Sequence, residues 1–189
     1  MNQAEVLLIG GRAGVGKTTV GWEVSARLRA ARIPHCVIEG DFMGQVHPAP
    51  EEDPHRERIT ERNLTALWGN YAALGHHRLI YTNTVSVLPM TEGMFRRAMG
   101  TQVRMVRVLL TASDETARQR LTGRELGSEL EQELASSVRK ARLLDEQAPA
   151  DVLRVVTDGR SVGDISREVV DATNWLTENG HGTAVRLGD

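Results

Sequence analysis

The sequence predicts an α/β fold in which helices cover both faces of a parallel sheet. Short apolar runs alternate with longer amphipathic segments along most of the 189 residues. This alternation is typical of strand–helix–strand units, whose crossover helices make successive strands parallel. The first apolar run also leads directly through a glycine-rich stretch into a helical pattern. The chain is long enough for one sizeable core, so we expect a single sheet.

Five apolar runs are the predicted strands. They cover residues 5–9, 35–39, 78–83, 103–111 and 152–156. Apolar residues recur at helical spacing in the segments between them. The predicted helices cover residues 16–31, 53–75, about 90–99, 113–123, a long segment from 128, and a last helix from 161.

Capping residues predict where several of these helices begin. Asp53 followed by Pro54 is typical of an N-cap and a first helical residue. Ser113 is the expected cap of the helix that ends near Gly123. Ser128 and Glu131 have the spacing of a capping box.

Composition narrows the possible partners. The formal net charge is −2, so we expect no nucleic-acid partner and no anionic membrane surface. The N-terminus lacks a basic, apolar leader, and no apolar run approaches 18 residues, which predicts a cytoplasmic protein without a membrane span. Cys36 is the one cysteine, and a buried, structural thiol is its expected role.

The stretch from Gly11 to Thr18 reads G-x-x-x-x-G-K-T and stands between a predicted strand and a predicted helix. In that context glycines let successive backbone N–H groups face one anion, at the positive end of a helix. Lys17 is one of only two lysines among 23 basic residues, and it is expected to reach the outer phosphates of a nucleoside triphosphate. The Thr18 hydroxyl is a candidate Mg²⁺ ligand. The predicted nucleotide contacts are Gly11, Ala13, Gly14, Val15, Gly16, Lys17, Thr18 and Thr19.

Carboxylates follow the second predicted strand. Asp41 is expected at the carboxyl edge of the sheet, where ligands of parallel α/β folds bind. There it could accept a proton from an attacking hydroxyl, hold Mg²⁺, or contact the substrate. Glu39 is the weaker alternative for this role. Asp41 could also have a purely structural role, as a capping residue in a turn formed with Gly40.

Arginines and one aromatic residue near this edge are candidate substrate contacts. Phe42 follows Asp41 directly, and Arg56, Arg58 and Arg62 stand at the start of the next predicted helix. A guanidinium suits an anionic substrate group or a phosphoryl group in transfer. The alternative is a solvated helix face on which these arginines pair with neighbouring glutamates.

Two further segments are expected to enclose a nucleotide. Arg120 and Arg124 flank a helix end and precede a short link containing glycine, a layout typical of a lid over phosphates. Ordinary surface arginines are the alternative. The polar loop 157–164, which includes Gly159, follows the fifth predicted strand, and a loop in that place commonly passes the adenine ring.

Together these motifs resemble the small P-loop kinases, such as adenylylsulfate, gluconate and shikimate kinases and the chloramphenicol phosphotransferase type. The resemblance covers roughly residues 5–175. It implies a three-layer α/β/α sandwich with a five-stranded parallel sheet in the order 2-3-1-4-5 and a short helical lid at about 120–130. It further implies ATP and Mg²⁺. We expect one domain over 1–177, and the weak periodicity of the last residues predicts a flexible tail at 178–189. One departure stands out: the third strand ends in Thr82 and Asn83, without the aspartate of a Walker B motif.

The predicted activity is transfer of the γ-phosphate of ATP to a hydroxyl of a small metabolite, nucleoside or antibiotic. Lys17, Asp41, Arg120 and Arg124 are the predicted catalytic residues, with Thr18 and Asp41 on the metal. The alternatives are a nucleotide or polynucleotide kinase, and a non-catalytic, ATP-dependent switch. The acceptor, the choice between ATP and GTP, and the oligomeric state stay open at this point.

Overall fold

The fold is known from a computed structural model that describes residues 3–123, 127 and 129–177. Arg124, Ser128 and the predicted tail 178–189 lie outside these residues. Five strands form one parallel sheet in the order β2-β3-β1-β4-β5, so the predicted fold class and strand order are confirmed. The strands are β1 (Glu5–Gly10), β2 (Cys36–Glu39), β3 (Arg78–Thr82), β4 (Arg104–Thr111) and β5 (Leu153–Val156).

Helices cover both faces of this sheet. They are α1 (Lys17–Ala30), α2 (Glu57–Ala73), α3 (Glu92–Met99), α4 (Asp114–Thr122), α5 (Leu130–Gln147) and α6 (Val162–Asp171). One apolar cluster contains residues of α1 and α6, and the other contains residues of α2, α3 and α5. The molecule therefore has three layers, and in its described part no helix is long and apolar enough to span a bilayer.

The central strand β1 is buried on both faces. Val6 and Leu8 belong to one apolar cluster, whereas Leu7 and Ile9 belong to the other. All four side chains are at most 1% exposed. This continuous apolar run is typical of a parallel strand covered by helices on both sides.

The register of the strands brings three chain segments to one edge of the sheet. Ile9 of β1 lies opposite Thr82 of β3, and Glu39 of β2 lies opposite the same Thr82. Because the three strands end at the same level, the segments that follow them begin side by side. These segments contain the glycine-rich loop, Asp41 and Asn83.

The predicted start of α2 is three residues too early, because Pro54 was the predicted first helical residue and α2 begins at Glu57, whereas the predicted cap of α4 at Ser113 is confirmed. The chain makes a turn at Asp53, and α2 begins only at Glu57. The Asp53 carboxylate still accepts a hydrogen bond from the backbone N–H of Ile59 at 3.0 Å, so it caps the helix from beyond the intervening turn. Ser113 and Ser161 accept hydrogen bonds from the backbone N–H groups three residues later.

A buried charge cluster stabilises the opposite edge of the sheet. Glu5 is 7% exposed and accepts hydrogen bonds from Arg78 Nε at 3.3 Å and from Trp175 Nε1 at 3.1 Å. Arg104 pairs with the same carboxylate, and the Arg78 guanidinium lies 5.9 Å from the centroid of the Trp175 ring. The cluster ties the segment after α6 to the first residues of β1, β3 and β4.

We expect Glu5→Gln to lower the free energy of unfolding by about 3 kcal/mol, because it removes the negative charge that faces two guanidinium groups in a buried site. Urea unfolding measures the change. The matched control is Glu23→Gln, which breaks a partly exposed pair with Arg27 at 3.4 Å and should cost less than about 1 kcal/mol. Equal losses in the two variants would contradict the structural role of Glu5.

Candidate functional site

The loop between β1 and α1 is shaped by three glycines with positive φ. The φ angles of Gly11, Gly14 and Gly16 are 143°, 86° and 97°. A Cβ atom would lie 2.6 Å from the Leu110 carbonyl oxygen at Gly11, and 2.7 Å from the Ala117 carbonyl oxygen at Gly14. Gly16 precedes α1, whose N-terminus has no side-chain cap. The loop therefore packs closely on its surroundings and leaves a helix N-terminus available to an anion.

The two polar residues that begin α1 extend this site. Lys17 is 9% exposed, and its Nζ donates to the backbone oxygen of Arg12, within the loop, at 3.3 Å. The Thr18 hydroxyl donates to Glu39 Oε2 at 3.1 Å. Val15 is buried in the core, and the exposed Thr19 lines a neighbouring cavity.

Glu39, the last residue of β2, is the carboxylate that contacts the start of α1. One of its oxygens accepts from Thr18, and the other accepts from the indole N–H of Trp22 at 3.0 Å. Carboxylate and hydroxyl oxygens are ligands that suit Mg²⁺. Among the described residues no group of three or more His, Cys, Asp or Glu side chains could hold a metal ion.

Asp41 lies in the short 3₁₀ turn Gly40–Phe42 that follows β2. Its Oδ1 accepts a hydrogen bond from Asn83 Nδ2 at 2.7 Å. Asn83 is itself anchored, because its backbone N–H donates to the oxygen of Ile9 at 3.2 Å. Burial, and then the negative charge of Asp41, raise the pKa of Tyr81. Asp41 is therefore an exposed carboxylate held beside the loop by the residue that stands at the end of β3.

The other predicted substrate residues lie around α2. Phe42 is 67% exposed beside Asp41. Arg56 Nε donates to the Val46 oxygen at 3.1 Å and so holds the segment before α2. Arg58 and Arg62 are exposed on α2. Phe42 therefore lies next to Asp41, and Arg56 stabilises the loop between β2 and α2. Substrate contact by any of these residues stays a prediction.

Arg120, in the last turn of α4, contacts the glycine-rich loop directly. Its guanidinium lies near the backbone oxygens of Gly14 and Val15, at 3.4 and 3.3 Å from Nη1. It also donates to the side-chain and backbone oxygens of Thr157 at 3.0 and 3.2 Å. Arg120 thus joins the loop to the segment after β5. Arg124, the other predicted lid arginine, is outside the described residues.

A cavity of about 430 Å³ adjoins this contact. Its walls come from the loop, α1, the end of α4 and the beginning of α6. Gly159, with a φ of 65°, forms the turn between β5 and α6. Thr157 and Arg160 from this turn line the cavity. The segment 157–164, which was predicted to contact adenine, therefore borders a cavity next to the glycine-rich loop.

An acidic residue in the same turn anchors α4. Asp158 accepts hydrogen bonds from the backbone N–H and the hydroxyl of Ser113 at 3.1 and 2.7 Å. Hydrogen bonds from the hydroxyls of Thr116 and then Ser113 lower the pKa of Asp158 to about 2. The carboxylate therefore stays ionised and joins the N-terminus of α4 to the turn beside the cavity.

Three residues that were not predicted brace the loop from the opposite side. Arg12 is 5% exposed, and its Nε donates to the Ser137 hydroxyl of α5 at 2.8 Å. Ser137 in turn donates to the Ala13 oxygen at 3.0 Å. Arg12 also pairs with Asp114 of α4, and this hydrogen bond lowers the pKa of Asp114. Arg12 occupies one of the variable positions of the G-x-x-x-x-G-K-T motif, and Ser137 precedes the apolar Val138 on α5. Local sequence therefore does not predict that these two residues are in contact.

We expect Ser137→Ala to lower the free energy of unfolding by about 1–3 kcal/mol, because a buried guanidinium nitrogen and a loop carbonyl both lose their partner. Nucleotide affinity should fall with it, since the loop loses a support. Thermal unfolding and calorimetric titration with an ATP analogue measure the two effects. Ser136→Ala, one residue earlier on α5, is the matched control and should leave both quantities unchanged. The same small effect in both variants would remove Ser137 from the support of the loop.

Solved structures with the same fold are known, although no family model and no curated protein matches the sequence. A gluconokinase from Sinorhizobium meliloti has a TM-score of 0.59 and 16% identity, over 95% of this chain and 97% of that chain. An APS kinase from Mycobacterium tuberculosis, in complex with AMPPNP and APS, has a TM-score of 0.59 and 19% identity, over 92% and 99%. A tunicamycin resistance protein from Deinococcus radiodurans has a TM-score of 0.60 and 19% identity, over 90% and 96%. This chain therefore has the fold of the small P-loop kinases.

Proposed function

We propose that this protein is a kinase that transfers the γ-phosphate of ATP to a hydroxyl group of a small molecule. One observation carries the proposal. Asp41 is held by Asn83 at 2.7 Å on the same sheet edge that carries the glycine-rich loop and the contact between Thr18 and Glu39. A phosphate-binding loop and an exposed carboxylate at one edge are the two parts that transfer to a hydroxyl requires.

In this proposal the loop and its neighbours bind the nucleotide. The N–H groups of the loop and of the first turn of α1 hold the phosphates, and Lys17 adds a positive charge beside them. Arg120 contacts the backbone of the loop, and its positive charge offsets the negative charge that develops during phosphoryl transfer. The cavity bordered by Thr157 and Arg160 accommodates the base.

We assign the metal-facing role to Thr18 and Glu39. The sequence suggested Thr18 with Asp41, but it is Glu39 that lies 3.1 Å from the Thr18 hydroxyl. When bound there, Mg²⁺ supplies positive charge that draws electron density from the phosphates. This assignment leaves Asp41 available for the acceptor.

Asp41 is then the group that receives the acceptor proton. The acceptor oxygen forms a bond to the γ-phosphorus, the bond from that phosphorus to the ADP oxygen breaks, and the hydroxyl proton passes to a carboxylate oxygen of Asp41. Asn83 occupies Oδ1, which orients the carboxylate and directs the other oxygen to the acceptor. Phe42, 67% exposed next to Asp41, offers an apolar surface for the same molecule.

The structural neighbours support a small acceptor, because they include a gluconokinase and an APS kinase. A nucleotide-dependent switch is the second candidate, since a loop that binds phosphates does not by itself imply transfer. The exposed, anchored carboxylate of Asp41 favours the kinase, because a switch does not require a proton acceptor at that place.

We expect ADP formation from ATP to depend on an added acceptor, and Asp41→Asn to lower that rate by about two to four powers of ten. The variant keeps the size of the side chain and loses its charge and basicity, so ATP affinity should stay near the wild-type value. The measurement is ADP release across a panel of hydroxyl metabolites, nucleosides and antibiotics, together with calorimetric ATP binding.

Asp151→Asn is the matched control for this experiment, because Asp151 is an exposed carboxylate in the turn before β5. Its rate should equal that of the wild type. A wild-type protein that binds ATP tightly and phosphorylates nothing in the panel would favour the switch. An Asp41→Asn variant with the wild-type transfer rate would remove Asp41 from the mechanism.

A further inference from the structure

Trp22 differs from the other two tryptophans in its exposure. It is 48% exposed, whereas Trp68 and Trp175 are 6% and 0% exposed. It stands on α1 four residues after Thr18, so the two side chains share one face of the helix. Core packing therefore does not account for the position of this half-exposed ring beside the candidate site.

The contacts of Trp22 account for its position. Its indole N–H donates to Glu39 Oε1 at 3.0 Å, while the Thr18 hydroxyl donates to Oε2 at 3.1 Å. Two successive turns of α1 therefore hold both oxygens of one carboxylate. A glutamate side chain at the end of an edge strand has several rotamers, and two donors on one rigid helix reduce them to one.

The two donors have different capacities. A threonine hydroxyl can both donate a hydrogen bond and offer lone pairs to a cation, whereas an indole N–H can only donate. Trp22 therefore has no part in holding an ion directly. Its one polar function at this place is to fix the orientation of Glu39.

We propose that Trp22 is a positioning residue that orients Glu39 toward Thr18 and so sets the Mg²⁺ dependence of nucleotide binding. The inference rests on the proposed function in one respect, the assignment of Thr18 and Glu39 to the metal. Partners that orient a metal-facing carboxylate are commonly worth tenfold or more in metal affinity. Because Trp22 is half exposed and water can replace its N–H, we expect an effect at the low end of that range.

The test compares AMPPNP binding in Mg²⁺ and in EDTA by calorimetry. We expect Trp22→Phe to weaken binding by about tenfold in Mg²⁺ and to leave binding in EDTA unchanged. Trp68→Phe is the matched control, since Trp68 packs in the core on α2, and its Mg²⁺ dependence should equal that of the wild type. Equal weakening by Trp22→Phe with and without Mg²⁺ would mean a merely structural role and would overturn the proposal, as would no weakening.

A double variant tests whether Trp22 acts through Glu39. In a Glu39→Gln background, Trp22→Phe should have no further effect on Mg²⁺-dependent binding. A full tenfold effect in that background would overturn the proposal. Fluorescence provides a check that needs no tryptophan variant: adding Mg²⁺ to the AMPPNP complex should change the tryptophan emission of the wild type and leave that of Glu39→Gln unchanged. A wild-type protein whose emission does not respond would also contradict the inference.

These outcomes separate the inference from the proposed function. A wild-type protein that binds no AMPPNP, or binds it equally in Mg²⁺ and EDTA, would contradict the proposed metal-dependent kinase itself. Mg²⁺-dependent binding that survives unchanged in Trp22→Phe would overturn only the role of Trp22.

Discussion

The parallel register of β1, β2 and β3 is the constraint on which the candidate site depends. Because Ile9 and Glu39 both lie opposite Thr82, the three strands end together, and the segments that follow them cannot separate. Backbone pairing alone places the glycine-rich loop, Glu39, Asp41 and Asn83 at one edge of the sheet. Side chains then refine this arrangement: Asn83 holds Asp41, and Trp22 with Thr18 holds Glu39. A shift of one residue in β2 would exchange the faces of Ile38 and Glu39 and dismantle both contacts.

The two edges of the sheet carry charge for different purposes. At the amino ends of the strands, Glu5 is enclosed by Arg78, Arg104 and Trp175, and this closed cluster holds the chain together. At the carboxyl ends, Asp41 is an exposed carboxylate, and Lys17 lies at the start of α1 with its Nζ 3.3 Å from the backbone oxygen of Arg12. The charged groups of the first edge pair within the protein, whereas in the proposed function those of the second edge face the ligand. This division explains why the candidate chemistry is confined to one end of the molecule.

Local features of the sequence predicted much of this structure. The glycine-rich loop and the cap at Ser113 depend on residues that are neighbours in sequence, and both are found. The strand order was implied by the family resemblance, and it is confirmed. The start of α2 was wrong because Asp53 caps the helix across an extra turn. The contact between Arg12 and Ser137 joins residues 125 apart in sequence, and no local pattern encodes such a pairing. The sequence favoured Asp41 over Glu39 as the partner of Thr18 on the metal. The contact between Thr18 and Glu39 depends on which face of β2 meets α1, and local sequence does not show that.

A crystal structure with Mg²⁺ and AMPPNP tests the central claim most directly. The claim is that the glycine-rich loop, Lys17, Arg120 and Asp41 form one site for phosphoryl transfer. The account predicts phosphates on the loop and α1, the base in the cavity lined by Thr157, and the γ-phosphate facing Asp41. A γ-phosphate directed away from Asp41, or a nucleotide bound outside the loop, would contradict it.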